Sequence, residues 1–240
     1  MSVTADEIQD LLTSQMYNPE ILPKLEAYLH SQVQSGSGEP NPYNIQANRT
    51  LVKLYQFFPA LAKTENLILA ELLALVYSAD ASEGSVDFGA LGCLISESVK
   101  KEEPFPTLTR CTDLLDSCQF PDFWKTFGSI ETTHAMVSEL AKSSHAKNAL
   151  RRSILDTLSQ SFRSTSVSYV LSQLDLNSLP ELEAFVKDNN LNGVVESIDG
   201  DVLTFTAKIE NTKREKVYQD TRTDYGSIRG LMKMRVVASE

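Results

Sequence analysis

What most limits the fold of this chain is the way apolar residues return every three or four positions in one segment after another, each segment closed by Pro, Gly or Ser. Leu51, Leu54, Tyr55 and Phe58 form one such stripe and stop at Pro59; Ile68, Leu69, Leu72, Leu73 and Val76 form the next. Phe88, Leu91, Leu94, Ile95 and Val99 follow and end before Pro104, and Leu108, Cys111, Leu114, Leu115 and Cys118 make a fourth. This period is that of amphipathic helices. A short aromatic piece covers residues 120–127, where Phe120, Phe123, Trp124 and Phe127 read as one packed face; Tyr55, Phe57 and Phe58 read the same way.

Two helix starts lie further upstream. Thr4 with Glu7 three residues on is a capping box ahead of Ile8, Leu11 and Leu12. Asn18-Pro19-Glu20 gives an N-cap, a proline at the first helical position and an acid in the first turn, leading to Leu22, Leu25, Tyr28 and Leu29. Pro23 should weaken that first turn. Residues 35–42, rich in Gly, Ser and Pro, cannot hold a helix and read as a surface loop. Helices of about 10 to 16 residues with short connections and no strands between them predict antiparallel hairpins stacked as a HEAT-like α-solenoid over 1–143. No fixed period is visible, so the repeat is degenerate.

The pattern changes after Ser143. One helix carries Ala149, Ile154, Leu155, Leu158 and Phe162; a second carries Val167, Val170, Leu171 and Leu174; a third after Pro180 carries Leu182, Phe185 and Val186. Two alternating segments follow, 193–198 and 201–209, separated by Asp199-Gly200, a strong hairpin signal. Three helices and a β-hairpin in that order predict a winged helix over 144–210. The remainder, 211–240, begins with Lys213, Arg214 and Lys216 and then sets Tyr225, Ile228, Leu231, Met232 and Met234 at helical spacing, a docking helix whose apolar face needs a partner. The fold class is thus mainly α: a helical-repeat domain, a winged-helix domain with a small β-hairpin, and a C-terminal helix.

Charge narrows the function. Residues 1–145 hold 9 Lys and Arg against 19 Asp and Glu, whereas 146–240 hold 13 of each. So acidic a front half repels phosphate backbones, which leaves any nucleic-acid contact to the C-terminal part. The third helix of the winged helix should be rich in cations if it read DNA, yet 180–188 carries Glu181, Glu183 and Asp188 against Lys187 alone. DNA binding is not expected. Lys147, Arg151 and Arg152 form one basic cluster and Lys213, Arg214 and Lys216 another; such clusters are ordinarily solvated faces, and their other use would be contact with RNA or with an acidic partner surface.

Catalytic patterns are missing. His30, His134 and His145 are scattered, no Ser or Cys sits in a G-x-S-x-G context, and no phosphate-cradling glycine loop or HExxH occurs. Glu102-Glu103 precedes Pro104 on a loop where both acids should be solvated. Cys93, Cys111 and Cys118 lack CxxC spacing and read as reduced core filler, the last two sharing a helical face seven residues apart. The expectation is a protein without cofactor, metal or catalytic activity. No apolar run approaches the roughly 20 residues of a membrane span and the N-terminus opens with acids, so the expected location is the cytosol or nucleus. Val202, Leu203, Phe205 and Ile209 are placed near an exposed sheet edge that could extend a neighbour's sheet. The alternative is that Val202 and Phe205 only cover the core.

Several words of the N-terminal half are distinctive. Tyr17-Asn18-Pro19-Glu20, Leu25-Glu26-Ala27-Tyr28, and Ala47-Asn48 leading to Val52-Lys53-Leu54-Tyr55-Gln56-Phe57 resemble the subunit k family of eukaryotic translation initiation factor 3. Leu114-Leu115-Asp116-Ser117-Cys118-Gln119-Phe120 with Phe123-Trp124 resembles the same family's next signature. The likeness is dense over 17–127 and continues as architecture, helical repeats then winged helix, in the manner of the PCI superfamily. It implies a non-catalytic scaffold subunit that docks beside subunit l, joins a bundle of helices from neighbouring subunits through its C-terminal helix, and meets the small ribosomal subunit indirectly. Partner contacts would then fall to Val202, Phe205, Ile209, Tyr225, Ile228, Leu231 and Met232. A PCI-type scaffold of the signalosome or proteasome lid is the alternative, followed by an RNA-binding adaptor.

Overall fold

Side chains close the first helix starts as their sequence requires. In the computed structural model, which describes residues 3–34, 43–77, 86–130 and 133–207, helix α1 (Ala5–Gln15) begins at Thr4, whose hydroxyl accepts the Glu7 N–H at 3.4 Å. Asn18 accepts the Glu20 N–H at 3.0 Å and opens a 3₁₀ turn, Pro19–Ile21, before α2 (Leu22–Gln34). Pro23 thus costs the first turn its α geometry. Asn44 caps α3 (Ile45–Phe57) by accepting the Ala47 N–H at 3.1 Å. The loop expected at 35–42 lies outside the described residues. Helices α2 and α3 are locked by a buried amide pair: Gln32 donates to Asn48 Oδ1 at 2.9 Å, and Asn48 donates back to Gln32 Oε1 at 3.2 Å. Paired this way, neither amide is left unsatisfied in the core.

The next helix, α4 (Thr64–Tyr77), is buried from Asn66 through Val76 on every side. A one-sided stripe is what the sequence period suggests. Leu67, Ala70, Ala74 and Leu75 fill the remaining faces, so α4 is a central helix rather than a surface one. Around it lie α2, α3, α5 (Val86–Gly92), α6 (Phe105–Asp116), α8 (Ala135–Lys142) and α9 (Ser144–Ser161). Two polar side chains go in with it. Asn66 meets the His30 ring at 2.8 Å and donates to the Tyr55 hydroxyl at 2.8 Å; that hydroxyl donates to Glu26 at 2.5 Å, and Lys63 pairs with the same carboxylate. Glu71 has no such chain. Burial pushes its carboxyl up to about 7 against a partial counter-effect from Lys100, and a Cβ at Gly92 would come within 3.3 Å of its Oε1.

Two of the expected stripes are shorter than their periodicity suggests. Helix α5 stops at Gly92, the chain turns through Leu94 and Ile95, and Val99 opens a separate 3₁₀ turn, Val99–Lys101, because the Ser96 carbonyl accepts the N–H groups of Val99 and Lys100. Helix α6 ends at Asp116, and Cys118 lies beyond it in the left-handed region at φ 56°. Cys118 and Cys93 are exposed, which corrects their reading as core filler; Cys111 alone is buried, its thiol pushed up to about 12 by burial. In α7 (Phe120–Gly128) all four aromatics are buried, with Phe123 and Trp124 edge to face at 5.1 Å. Helix α8, which the sequence reading lacks, buries Val137, Leu140 and Ala141.

The C-terminal part is a winged helix. Helix α9 leads to β1 (Ser164–Ser166), α10 (Val167–Leu174), α11 (Leu179–Asp188), β2 (Val195–Asp199) and β3 (Val202–Phe205), and the antiparallel sheet has the order β1-β3-β2. The two-residue turn is Gly200-Asp201, one position later than expected, with Gly200 at φ 61°. Strand β1 escapes detection because Ser-Thr-Ser has no apolar alternation; it pairs through Ser166 opposite Val202. Trp124 ties this module to the helices before it by donating its indole N–H to the Gln173 carbonyl at 2.8 Å.

Glu71 sets a pH dependence. Its carboxyl titrates near 7 in the folded chain against an ordinary value of 4.5, so the native state holds the proton more tightly. Stability is full below about pH 4.5, declines as the unfolded chain ionises, and levels off above about 7, with at most about 3 kcal/mol lost. Urea denaturation of Glu71→Gln from pH 5 to 8 should show a shallower decline than the parent and a gain of about 1–3 kcal/mol at pH 8. Parallel curves for the two proteins would refute this account.

Candidate functional site

Large apolar side chains left in solvent mark where this fold can hold another protein. Tyr17, 64% exposed at the end of α1, and Phe57, 57% exposed at the end of α3, bring their rings to 6.1 Å. Phe58 and Leu61 are exposed on the turn that follows. The sequence predicts burial of Phe57 and Phe58 with Tyr55; in the fold Tyr55 alone of the three is buried. Residues one apart on a helix point about 100° from each other, so three aromatics at 55, 57 and 58 cannot share a face, and the adjacent pair was the available signal. In the winged helix, Phe162 and Tyr169 meet edge to face at 5.8 Å and are both exposed. The sequence period assigns Phe162 to the α9 stripe. It stands beyond the last turn of that helix in extended backbone, which carries its ring off the buried face.

The residues expected to meet partners through the sheet divide. Val202 is exposed at 48%, whereas Phe205 is buried beside Leu203 and Val195 in the core. Strand β3 pairs with β1 on one side and β2 on the other, so the free edge expected there does not exist; the edges are β1 and β2. Ile209, Tyr225, Ile228, Leu231 and Met232 lie outside the described residues.

The first basic cluster is largely consumed inside the fold. Arg151 donates from Nε to the Leu174 carbonyl at 2.8 Å and from Nη2 to the Asp175 carbonyl at 2.9 Å, closing the C-terminus of α10. Its guanidinium also lies over the Trp124 ring at 5.7 Å. Burial lowers its proton affinity, while Asp175 and Glu181 act in the opposite sense. Arg152 donates to Asn189 at 3.2 Å, and Lys147 is half-buried. Lys213, Arg214 and Lys216 fall outside the described residues. On α11 the solvent side carries Glu181, Glu183, Lys187 and Asp188, and Glu181 accepts the Asn177 N–H at 3.0 Å. Such a helix faces phosphates badly.

The histidines are not gathered: His30 contacts Asn66, His134 lies 3.9 Å from Glu65, and His145 lies 3.5 Å from Ser143. Among the described residues no group of three or more His, Cys, Asp or Glu is placed to hold a metal ion, and no helix is long and apolar enough to cross a membrane.

No family model matches the chain. Curated relatives do. Eukaryotic translation initiation factor 3 subunit K of Xenopus tropicalis is 25% identical over 216 residues, 90% of this chain and 89% of the relative. The protein of the same name from Aedes aegypti is 26% identical over 226 residues, 94% and 92% of the two chains. That of Homo sapiens is 34% identical over 109 residues, 45% of each. Along nearly its whole length, then, the chain is similar to proteins named subunit K of eukaryotic translation initiation factor 3.

Proposed function

We propose that this chain is a non-catalytic structural subunit of eukaryotic translation initiation factor 3, working in the cytoplasm by holding neighbouring subunits together during initiation on the small ribosomal subunit. The observation that carries the proposal is the extent of the likeness: relatives named subunit K match nine-tenths of the chain, helical repeats and winged helix together. The surface chemistry agrees. Exposed aromatic pairs at Tyr17–Phe57 and Phe162–Tyr169 supply apolar area for protein contacts, while the acids of α11 oppose a nucleic-acid reading. Subunit l is the neighbour proposed for the winged helix, with Val202 at its surface, and the segment 225–240 is proposed to dock among helices of other subunits.

Affinity purification of the full chain from its own cells, read by mass spectrometry, should recover initiation factor 3 subunits with subunit l among the most enriched. Recovery of signalosome or proteasome-lid subunits without initiation factors would overturn the proposal. Removing 225–240 should reduce that recovery several-fold while thermal unfolding of the remaining chain stays near the parent's; undiminished assembly would refute the docking role. Arg151→Ala should cost about 1–3 kcal/mol in urea denaturation through the lost carbonyl contacts, against about 0.5 kcal/mol or less for Lys147→Ala. Equal costs would mean that Arg151 is a surface cation after all.

A further inference from the structure

Both ends of one surface turn bear on the same buried carboxyl. Helix α5 stops at Gly92, where a Cβ would come within 3.3 Å of Glu71 Oε1, and the 3₁₀ turn Val99–Lys101 brings in Lys100, a cation that acts on that carboxyl. Between these two points Cys93 and residues 96–98 are exposed, Ile95 is buried, and Leu94 and Val99 are half-buried. The same stretch forms one wall of an apolar cleft of about 270 Å³ behind Pro59, which Val52, Tyr55, Gln56 and Leu67 also line.

Glu71 is 3% exposed in the middle of α4, so an ionised carboxylate there must find a cation or water. Around it, α2 commits Glu26 to Tyr55 and Lys63 and His30 to Asn66, and on α5 Asp87 meets the Tyr43 hydroxyl at 3.2 Å. Helix α9 turns Arg151 and Arg152 to Leu174 and Asn189, α6 and α8 leave Arg110, Asp113, Glu139 and Lys142 in solvent, and α3 adds the half-buried Arg49 and Lys53. Among the described residues, the charge that acts on the Glu71 carboxyl is Lys100. That ammonium is shared, since it pairs with Glu97 on the turn itself at 2.9 Å. We propose that Glu71 is a latch for the 92–101 turn: with its proton the turn lies closed on α4, and without it the turn swings out, admitting water to the carboxylate and opening that wall of the cleft. The turn yields rather than α4 because it is short and exposed and a few backbone bonds hold it, whereas α4 is covered on every side. The closed turn keeps the proton up to about 7 against an ordinary 4.5, so closure is firmest below about pH 4.5, weakens as pH rises and is loosest above about 7. The pH dependence of stability thereby has a place in the fold.

Amide hydrogen exchange of the full chain between about pH 5 and 8, corrected for the intrinsic base dependence of exchange, tests the latch. The reporters are the N–H groups of Leu94, Ile95, Val99 and Lys100, which donate to the carbonyls of Leu91, Gly92 and, for the last two, Ser96. Over that range their protection should fall at least about tenfold further than that of the α10 amides in the winged helix. Glu71→Gln should flatten the fall, and Lys100→Gln, which removes the counter-cation at a partly exposed site, should deepen it. An equal fall at the α10 amides, a fall that persists in folded Glu71→Gln protein, or one no deeper in Lys100→Gln than in the parent would each overturn the proposal.

Discussion

Helix α4 is the constraint that the rest of the described fold answers. A helix with aliphatic side chains all round has no face to give to water, and each Leu, Ile or Val it buries is worth about 1.5–3 kcal/mol. Its stability therefore depends on complete coverage, which is why α2, α3, α5, α6, α8 and α9 all meet it. Two polar residues break the pattern in different ways. Asn66 is satisfied by a chain of side chains running out through Tyr55 to Glu26 and Lys63, which also fixes how α2, α3 and α4 sit together. Glu71 is housed where Gly92 leaves room, and burial, only partly countered by Lys100, favours its protonated form.

The winged helix is bound to this body by the same side chain that completes the aromatic face of α7. Trp124 packs against Phe123 and Phe127, donates to the Gln173 carbonyl and lies under the Arg151 guanidinium. Arg151 in turn holds the carbonyls that end α10. A cation at the C-terminus of a helix, over an aromatic ring and half-buried, is a structural component with little left for an external anion. This alters what the basic cluster means. The sequence places Lys147, Arg151 and Arg152 together, but the fold turns the two arginines inward.

Legibility followed the physical origin of each signal. Caps and aromatic faces depend on neighbours within four residues, so Thr4, Asn18 and residues 120–127 read correctly from the chain alone. Burial all round α4, the early end of α5 at Gly92 and the exposure of Cys118 depend on what packs from elsewhere, and periodicity carries no trace of that. Strand β1 is the clearest case. Its three hydroxyl residues have no pattern of their own and become a strand only because β3 presents a partner. Without β1, β3 would be an edge and Phe205 a contact residue; pairing with β1 makes β3 central, and Phe205 is in the core. Trp124 was legible as part of a packed face, while its bond to Gln173 joins residues too far apart in sequence to predict.

These placements bear on how such a chain can act. Arg151 is spent on the end of α10, acids occupy the outer side of α11, and the buried amides Gln32 and Asn48 satisfy each other. Among the described residues, what remains for binding is apolar area at helix ends and turns: Tyr17 with Phe57, Phe162 with Tyr169, Leu61, and the cleft behind Pro59. Apolar burial is non-directional, so contact through these surfaces supplies affinity without chemistry. Selectivity must then come from the charges around them, because repulsion of the wrong partner is what rim charges do well.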